Sequence, residues 1–238
     1  MEVSVDKTRG LSKKKGFLFW VIALTIILAG TVVGAIAIGS TYIEPGEVYK
    51  VLLNKLTNGV LFSGIGEVMT QNIIWEIRFP RVLLGAICGA GLAICGVLMQ
   101  CVTKNPIAEP YILGISSGAS CGAVATIVLG GVASLGINSI TTGAFVGSMV
   151  SGVLVFAIGT QMGKTTSTTR LVLTGMAIST IFSALTNLLI YSAKNSNQAK
   201  NALFWTIGSL GGAKWDVLLI PFIVLILVII VSFVMSKS

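Results

Sequence analysis

The chain has no histidine, so a zinc site built on imidazole, or a general base of the commonest kind, is excluded. Charge is also scarce: 10% of its 238 residues are Asp, Glu, Lys or Arg, against roughly a quarter in soluble proteins. Five stretches of 20 residues or more carry none of these four residues: Gly16 to Ile43, Val82 to Thr103, Pro110 to Gly163, Leu171 to Ala193 and Val217 to Ser236. Carboxylates at membrane depth, which would relay protons or hold a cation, are therefore missing. That absence speaks against an intramembrane enzyme and against a proton-coupled carrier. The four cysteines, Cys88, Cys95, Cys101 and Cys121, contain no C-x-x-C pair and read as small buried apolar residues. The net charge of +8 comes without a basic stripe interleaved with aromatics. It suits contact with anionic membrane lipids, and no nucleic-acid partner is expected.

What the chain has in abundance is apolar length, at 54% hydrophobic residues. A bilayer core about 30 Å thick is crossed by about 20 apolar residues rising 1.5 Å each. The run from Pro110 to Gly163 is too long for one crossing and breaks near Gly130, Gly131 and the polar Asn138, Ser139, Thr141 and Thr142. Six helices are predicted, at 17–39, 82–102, 112–130, 140–161, 170–191 and 216–236. Continuous apolar runs lack the alternation of barrel strands, so the fold class is an all-α, polytopic membrane protein. Lys7, Arg9, Lys13, Lys14 and Lys15 precede an apolar run longer than the core of a secretory signal. Residues 1–16 are therefore read as a cytoplasmic tail. With six crossings, the segments 103–111 and 162–169 are also cytoplasmic, and 40–80 and 192–215 face outward.

Glycine, with 28 copies, recurs at helix-packing intervals: Gly85, Gly89 and Ala93, then Gly118 and Gly122, then Gly147 and Ser151. Gly91 and Gly96 give the helix over 82–102 a second small-residue face, so close neighbours are expected on more than one side of it. At its front, Pro80 reads as a first-turn proline. Arg78 and Arg81 flank it on one face, as interfacial anchors or as receptors for an anionic partner. Behind it, Gln100, Lys104, Asn105, Pro106, Glu109 and Pro110 lead into GISSGAS. Prolines four apart end the helix and send the chain back into the membrane.

The succession R-F-P-R, then GAGLAICGVLMQ, then NPIAEPYILGISSGA, followed by TTSTTRLVLTGMAIS at 165–179 and LFWTIGSLGGAKWD at 203–216, closely resembles the permease subunits of binding-protein-dependent ABC importers for iron–siderophores, haem and cobalamin. The resemblance implies a permease in the bacterial cytoplasmic membrane, paired with a second permease copy. It also implies a cytoplasmic ATPase pair that binds the ATP, this chain itself holding no cofactor or metal, and an extracytoplasmic binding protein that delivers the chelate. By the same resemblance Arg78 and Arg81 dock that binding protein, and Thr168 and Thr169 form a cytoplasmic gate. The fifth helix lines the pathway with Thr174, Ser179, Thr180, Ser183, Thr186 and Asn187. A simpler alternative for Thr168 and Thr169 is capping of that helix. Family members have ten spans, so residues 17–238 are expected to form a C-terminally truncated permease domain. The competing expectation is a fragment that transports nothing without a second polypeptide supplying the missing helices.

Overall fold

The computed structural model describes residues 2–60, 67–130, 139–161 and 168–236. Among these residues every regular element is a helix: α1 (Glu2–Ala37), α2 (Pro45–Leu56), α3 (Val68–Asn72), a π-helical turn (Ile73–Arg78), α4 (Phe79–Thr103), a 3₁₀ turn (Pro110–Leu113), α5 (Ile115–Leu129), α6 (Ser139–Gln161), α7 (Thr168–Tyr191), α8 (Ser196–Ile207) and α9 (Trp215–Met235). Five helical segments are long and apolar enough to cross a membrane. The sixth predicted crossing, 112–130, arrives as the shorter α5 of 15 residues. Pro110 opens the 3₁₀ turn before it, and Gly114 and Gly130, at φ +67° and +64°, bound it with left-handed backbone that glycine adopts without strain.

The chain divides into two compact units, residues 1–88 with 210–238, and residues 89–209. In the first, α1 continues back to Glu2, so the expected tail is part of the same helix. The end of α1, the helix α2 and the π turn share a core of Ile36, Ala37, Ile43, Val48, Val51 and Ile74. Val48 and Val51 stand one turn apart behind Pro45, which explains why a short helix forms in a stretch expected only to be an outer segment.

Pro80 is not at a helix start. Helical backbone runs unbroken from Val68 to Thr103, and the proline lies inside it. The π turn accommodates it: the N–H of Phe79 reaches back five residues to Ile74 O. The wider turn relieves the clash that a proline ring makes in the tighter α spiral.

In the second unit α5 packs face to face with α6. A Cβ at Gly122 would strike the backbone of Gly143, and one at Gly147 would strike the carbonyl of Gly118. The backbones therefore meet directly, as the small-residue spacing predicts. The chain reversal after α4 is built as expected: Gln100 donates to Pro106 O at 3.0 Å, and Asn105 Oδ1 accepts from Ile107 N at 3.0 Å.

Two sequence expectations are revised. Among the described residues nothing lies within 4 Å of a Cβ at Gly89, Gly91 or Gly96, while one at Gly85 would meet only Leu210 Cδ1 at 3.5 Å, so α4 has no close neighbour at its glycines beyond Gly85. Cys88, Cys95 and Cys101 are exposed and Cys121 half-buried; lipid is as apolar as a core, so burial is no longer the natural place for a thiol.

Hydroxyls are handled locally. Thr25, Thr103, Thr126, Thr160 and Ser192 each donate to the carbonyl four residues back, at 2.7–2.9 Å. A hydroxyl satisfied by its own helix tolerates an apolar surround.

Candidate functional site

The R-F-P-R segment lies in the first unit, and its two arginines have different fates. Arg78 is buried. Its Nη1 donates to Ile36 O at 2.6 Å and Ala37 O at 3.0 Å, and its Nη2 donates to Thr41 O and to Thr41 Oγ1, the latter at 3.0 Å. The cation thus caps the carbonyl end of α1, where the helix dipole is negative, adding to the one backbone donor, Ile43 N at 3.2 Å, that Ala37 O already has. Gly39 makes room for it, since a Cβ there would stand 2.6 Å from Nη2. Arg81 is exposed and among the described residues reaches a single acceptor, Gly211 O, at 3.1 Å. The expectation of a shared role is corrected on this ground: the fork of Arg78 is already occupied, whereas Arg81 keeps most of its five donors available.

Beside these arginines Trp75, Phe79 and Trp215 form an aromatic cluster. The Trp75 and Trp215 centroids are 4.9 Å apart, and Phe79 meets Trp215 edge-on at 5.5 Å. The indole Nε1 of Trp215 donates to Trp75 O at 3.0 Å. Leu210 Cδ1 lies 3.5 Å from where a Cβ of Gly85 would be.

In the second unit α7 presents two stripes. Gly175, Ile178 and Thr186 are buried. A Cβ on Gly175 would strike Ile112 O, and Ser179 Oγ lies 3.1 Å from Ser117 Oγ, which also donates to Gly114 O. Thr186 Oγ1 returns to Phe182 O at 2.7 Å. Ser179 and Thr186 are thus packing residues in contact with α5 or their own helix, a correction to their placement in an open wall. Thr174 is half-buried, while Thr180, Ser183 and Asn187 are exposed. These three, spaced three and four apart, lie on one face. Thr180 is satisfied by Met176 O at 3.0 Å.

Thr168 and Thr169 are the first two residues of α7. The inner turn 162–167 that leads into them, with Lys164, lies outside the described residues. Arg170, the next residue, has a buried Nη1 with no hydrogen-bond partner among the described residues.

Two elements near these sites were not anticipated. One is α2; the other is α8, whose Asn195 side chain caps Gln198 N at 2.9 Å while Gln198 Oε1 accepts from Lys194 N at 3.2 Å. The N-x-x-Q spacing of a capping box was the available signal.

A family model described as the FecCD transport family matches residues 22–238. The chain belongs to the FecCD transport family. It is 40% identical over 145 residues to the cobalamin import system permease protein BtuC of Halobacterium salinarum, covering 61% of this chain and 38% of that one. To the vitamin B12 import system permease protein BtuC of Klebsiella pneumoniae it is 33% identical over 201 residues, 83% of this chain and 53% of that one. Further FecCD relatives at 30% and 33% identity are named for molybdate import in Haemophilus influenzae and achromobactin transport in Dickeya dadantii. A solved structure described as an inward-facing conformation of a metal-chelate type ABC transporter superposes with a TM-score of 0.68 at 27% identity, covering 87% of this chain and 58% of its own. The chain spans about half the length of the curated relatives it matches, with coverage between 38% and 56% among those named here.

Proposed function

We propose that this FecCD chain is the translocation subunit of an ABC importer for a metal chelate, with an iron–siderophore as cargo. In this reading it sits in the bacterial cytoplasmic membrane with its N-terminus inside. Its partners are a second permease copy, an ATPase pair that binds and hydrolyses ATP, and an extracytoplasmic binding protein. The carrying observation is the superposition of 87% of the chain on a metal-chelate type transporter. The exposed stripe of α7 supports it. Asn187 is exposed, and an amide facing hydrocarbon without a partner costs several kcal/mol, so water or a polar cargo suits that face better than lipid.

Arg81 takes the docking role on the outer side; Arg78 supports it by holding α1 beneath the same joint. Thr168 and Thr169 act as the cytoplasmic gate, and cysteines placed there are expected to cross-link between two copies, with a yield that changes on adding ATP to the assembled transporter. No cross-link in any nucleotide state counts against the gate.

The deciding experiment expresses the chain, together with an ATPase and a binding protein of the same importer, in cells lacking their own chelate uptake. Uptake of radiolabelled ferric siderophore is expected to exceed that of haem and cobalamin. Accumulation of cobalamin or haem alone overturns the cargo. A second reading, that the chain works only with helices supplied by another polypeptide, is favoured by the open space at Gly89, Gly91 and Gly96 of α4. It predicts no uptake of any chelate until that polypeptide is co-expressed.

A further inference from the structure

Through the π turn, Trp75 O is offered neither of the usual donors of its own helix. The N–H of Phe79 bonds Ile74 O, five residues back. The next acceptor in that register is Trp75 O, and the donor that should reach it is the N–H of residue 80. Residue 80 is proline and has none. The α-type donor for Trp75 O is the N–H of Phe79, already committed to Ile74. A carbonyl in such a position is as costly to leave unmade as any buried polar group.

The missing donor arrives from a residue 140 positions along the chain: Trp215 Nε1 stands 3.0 Å from Trp75 O. Indole is well suited to this task, being donor only and bringing no acceptor that would itself need a partner. Its ring is held in place from two sides, by Trp75 at 4.9 Å and by Phe79 at 5.5 Å. The same short segment also touches the helix further on, where Gly211 O accepts from Arg81 Nη2 at 3.1 Å.

We propose that Trp215 is a positioning residue whose indole N–H replaces the backbone donor that Pro80 lacks, fixing the π-turned entry of α4, and Arg81 on it, against the start of α9. The proline and the tryptophan are then two halves of one device. Pro80 opens a lateral bonding site in a membrane helix, and Trp215 closes it from the next element. The consequence for Arg81 as a docking group rests on the function proposed above; the hydrogen bond itself does not.

The test uses the full chain, labelled with ¹⁵N at the tryptophan indoles, in detergent micelles, with W215F assigning the resonance. The Trp215 indole proton is expected to exchange with solvent about tenfold or more slowly than that of free N-acetyltryptophanamide in the same buffer. P80A restores a backbone donor for Trp75 O, so in that variant the Trp215 proton is expected to exchange faster. W215F is expected to lower the melting midpoint in the Pro80 protein and to lower it by less than half as much in the P80A protein. Benzothienylalanine at position 215 keeps the bicyclic shape and deletes only the N–H; it is expected to reproduce the W215F shift even if P80A does not fold. Indole exchange unchanged by P80A, together with additive shifts, overturns the proposal. So does a benzothienylalanine protein that melts like the parent. Retained hydrogen-bond coupling with unaltered binding-protein association in W215F would leave the joint standing and remove the docking reading alone.

Discussion

The two units of this chain hold their helices together by opposite means. In the first, long side chains reach across to backbone carbonyls: Arg78 to the end of α1, Arg81 to Gly211, Trp215 to Trp75. In the second, side chains are all but removed, and α5 and α6 meet through Gly118, Gly122, Gly143 and Gly147. The difference follows from where free carbonyls occur. Helix ends and a proline-broken turn expose acceptors that demand donors, whereas an unbroken span has satisfied its own backbone and gains only by close approach. A donor-built joint fails when a hydrogen bond is lost; a contact-built seam fails when a methyl group is added.

The seam is therefore the place of the largest expected effect. Gly122→Leu puts a branched side chain where even a Cβ meets the backbone of Gly143. Separating α5 from α6 is expected to destabilise the second unit by about 3 kcal/mol or more. Loss of a monodisperse peak in detergent gel filtration checks it. A Gly122→Leu protein that melts with the parent would show that the seam is not closed in solution.

Next is Arg78→Ala. It takes the guanidinium donors from the carbonyls of Ile36, Ala37 and Thr41, of which Ala37 O keeps the N–H of Ile43, and removes the cation from the end of α1, an expected loss of about 2–4 kcal/mol in thermal or denaturant unfolding. Arg78→Lys is expected to recover less than half of it, because one ammonium cannot reproduce a planar fork. Gly39→Val, which fills the space of the guanidinium, is expected to resemble Arg78→Ala. If Arg78→Ala unfolds with the parent but loses binding-protein affinity, the two arginines do share the docking role after all.

How far the sequence could foretell these two modes depends on what each leaves in the spelling. The seam was legible: Gly118 with Gly122 and Gly147 with Ser151 sit four apart on predicted spans, and helical geometry places such pairs on one face. The existence of the long apolar helices was legible from length and the absence of charge alone. The joint was not. Nothing in R-F-P-R says that Arg78 points inward, because its acceptors lie some forty residues away in sequence, and a proline at a π turn is spelled like a proline at a helix start. On α7, the family resemblance implied one pathway wall for all its hydroxyls, but a resemblance in sequence is blind to which hydroxyls face a neighbour. Ser179 and Thr186 fell on the packed side, and Thr180, Ser183 and Asn187 on the open one.

A smaller effect separates the two arginines. Arg81→Ala gives up one exposed hydrogen bond and is expected to leave the melting midpoint within error of the parent. If Arg81 docks a carboxylate of the binding protein, the variant is expected to associate about tenfold more slowly at low salt and to show a weaker salt dependence, as loss of a rim charge does. Arg81→Glu is expected to be slower still. Equal association rates for parent, alanine and glutamate variants would remove Arg81 from the docking site.

The smallest expected effect tests the part of the molecule that belongs to neither mode. Gly91 lies within α4 and has open space around it. In the isolated chain Gly91→Ala is expected to stabilise slightly, by about 0.5–1 kcal/mol, since alanine loses less backbone entropy in a helix and meets nothing. Gly91→Leu is expected to be near neutral for the same reason. A close neighbour reverses the sign: if another helix seats on this face as α6 seats on α5, the leucine must force it away, as at Gly122. Measuring both variants twice therefore reads the state of α4 directly, once in the purified chain and once after co-expression with a polypeptide carrying further membrane helices. Neutrality in the first case and loss of stability or assembly in the second mean that the glycine face is an interface awaiting its partner. Neutrality in both means that it faces lipid, and the reading that this chain needs additional helices loses the observation that favours it.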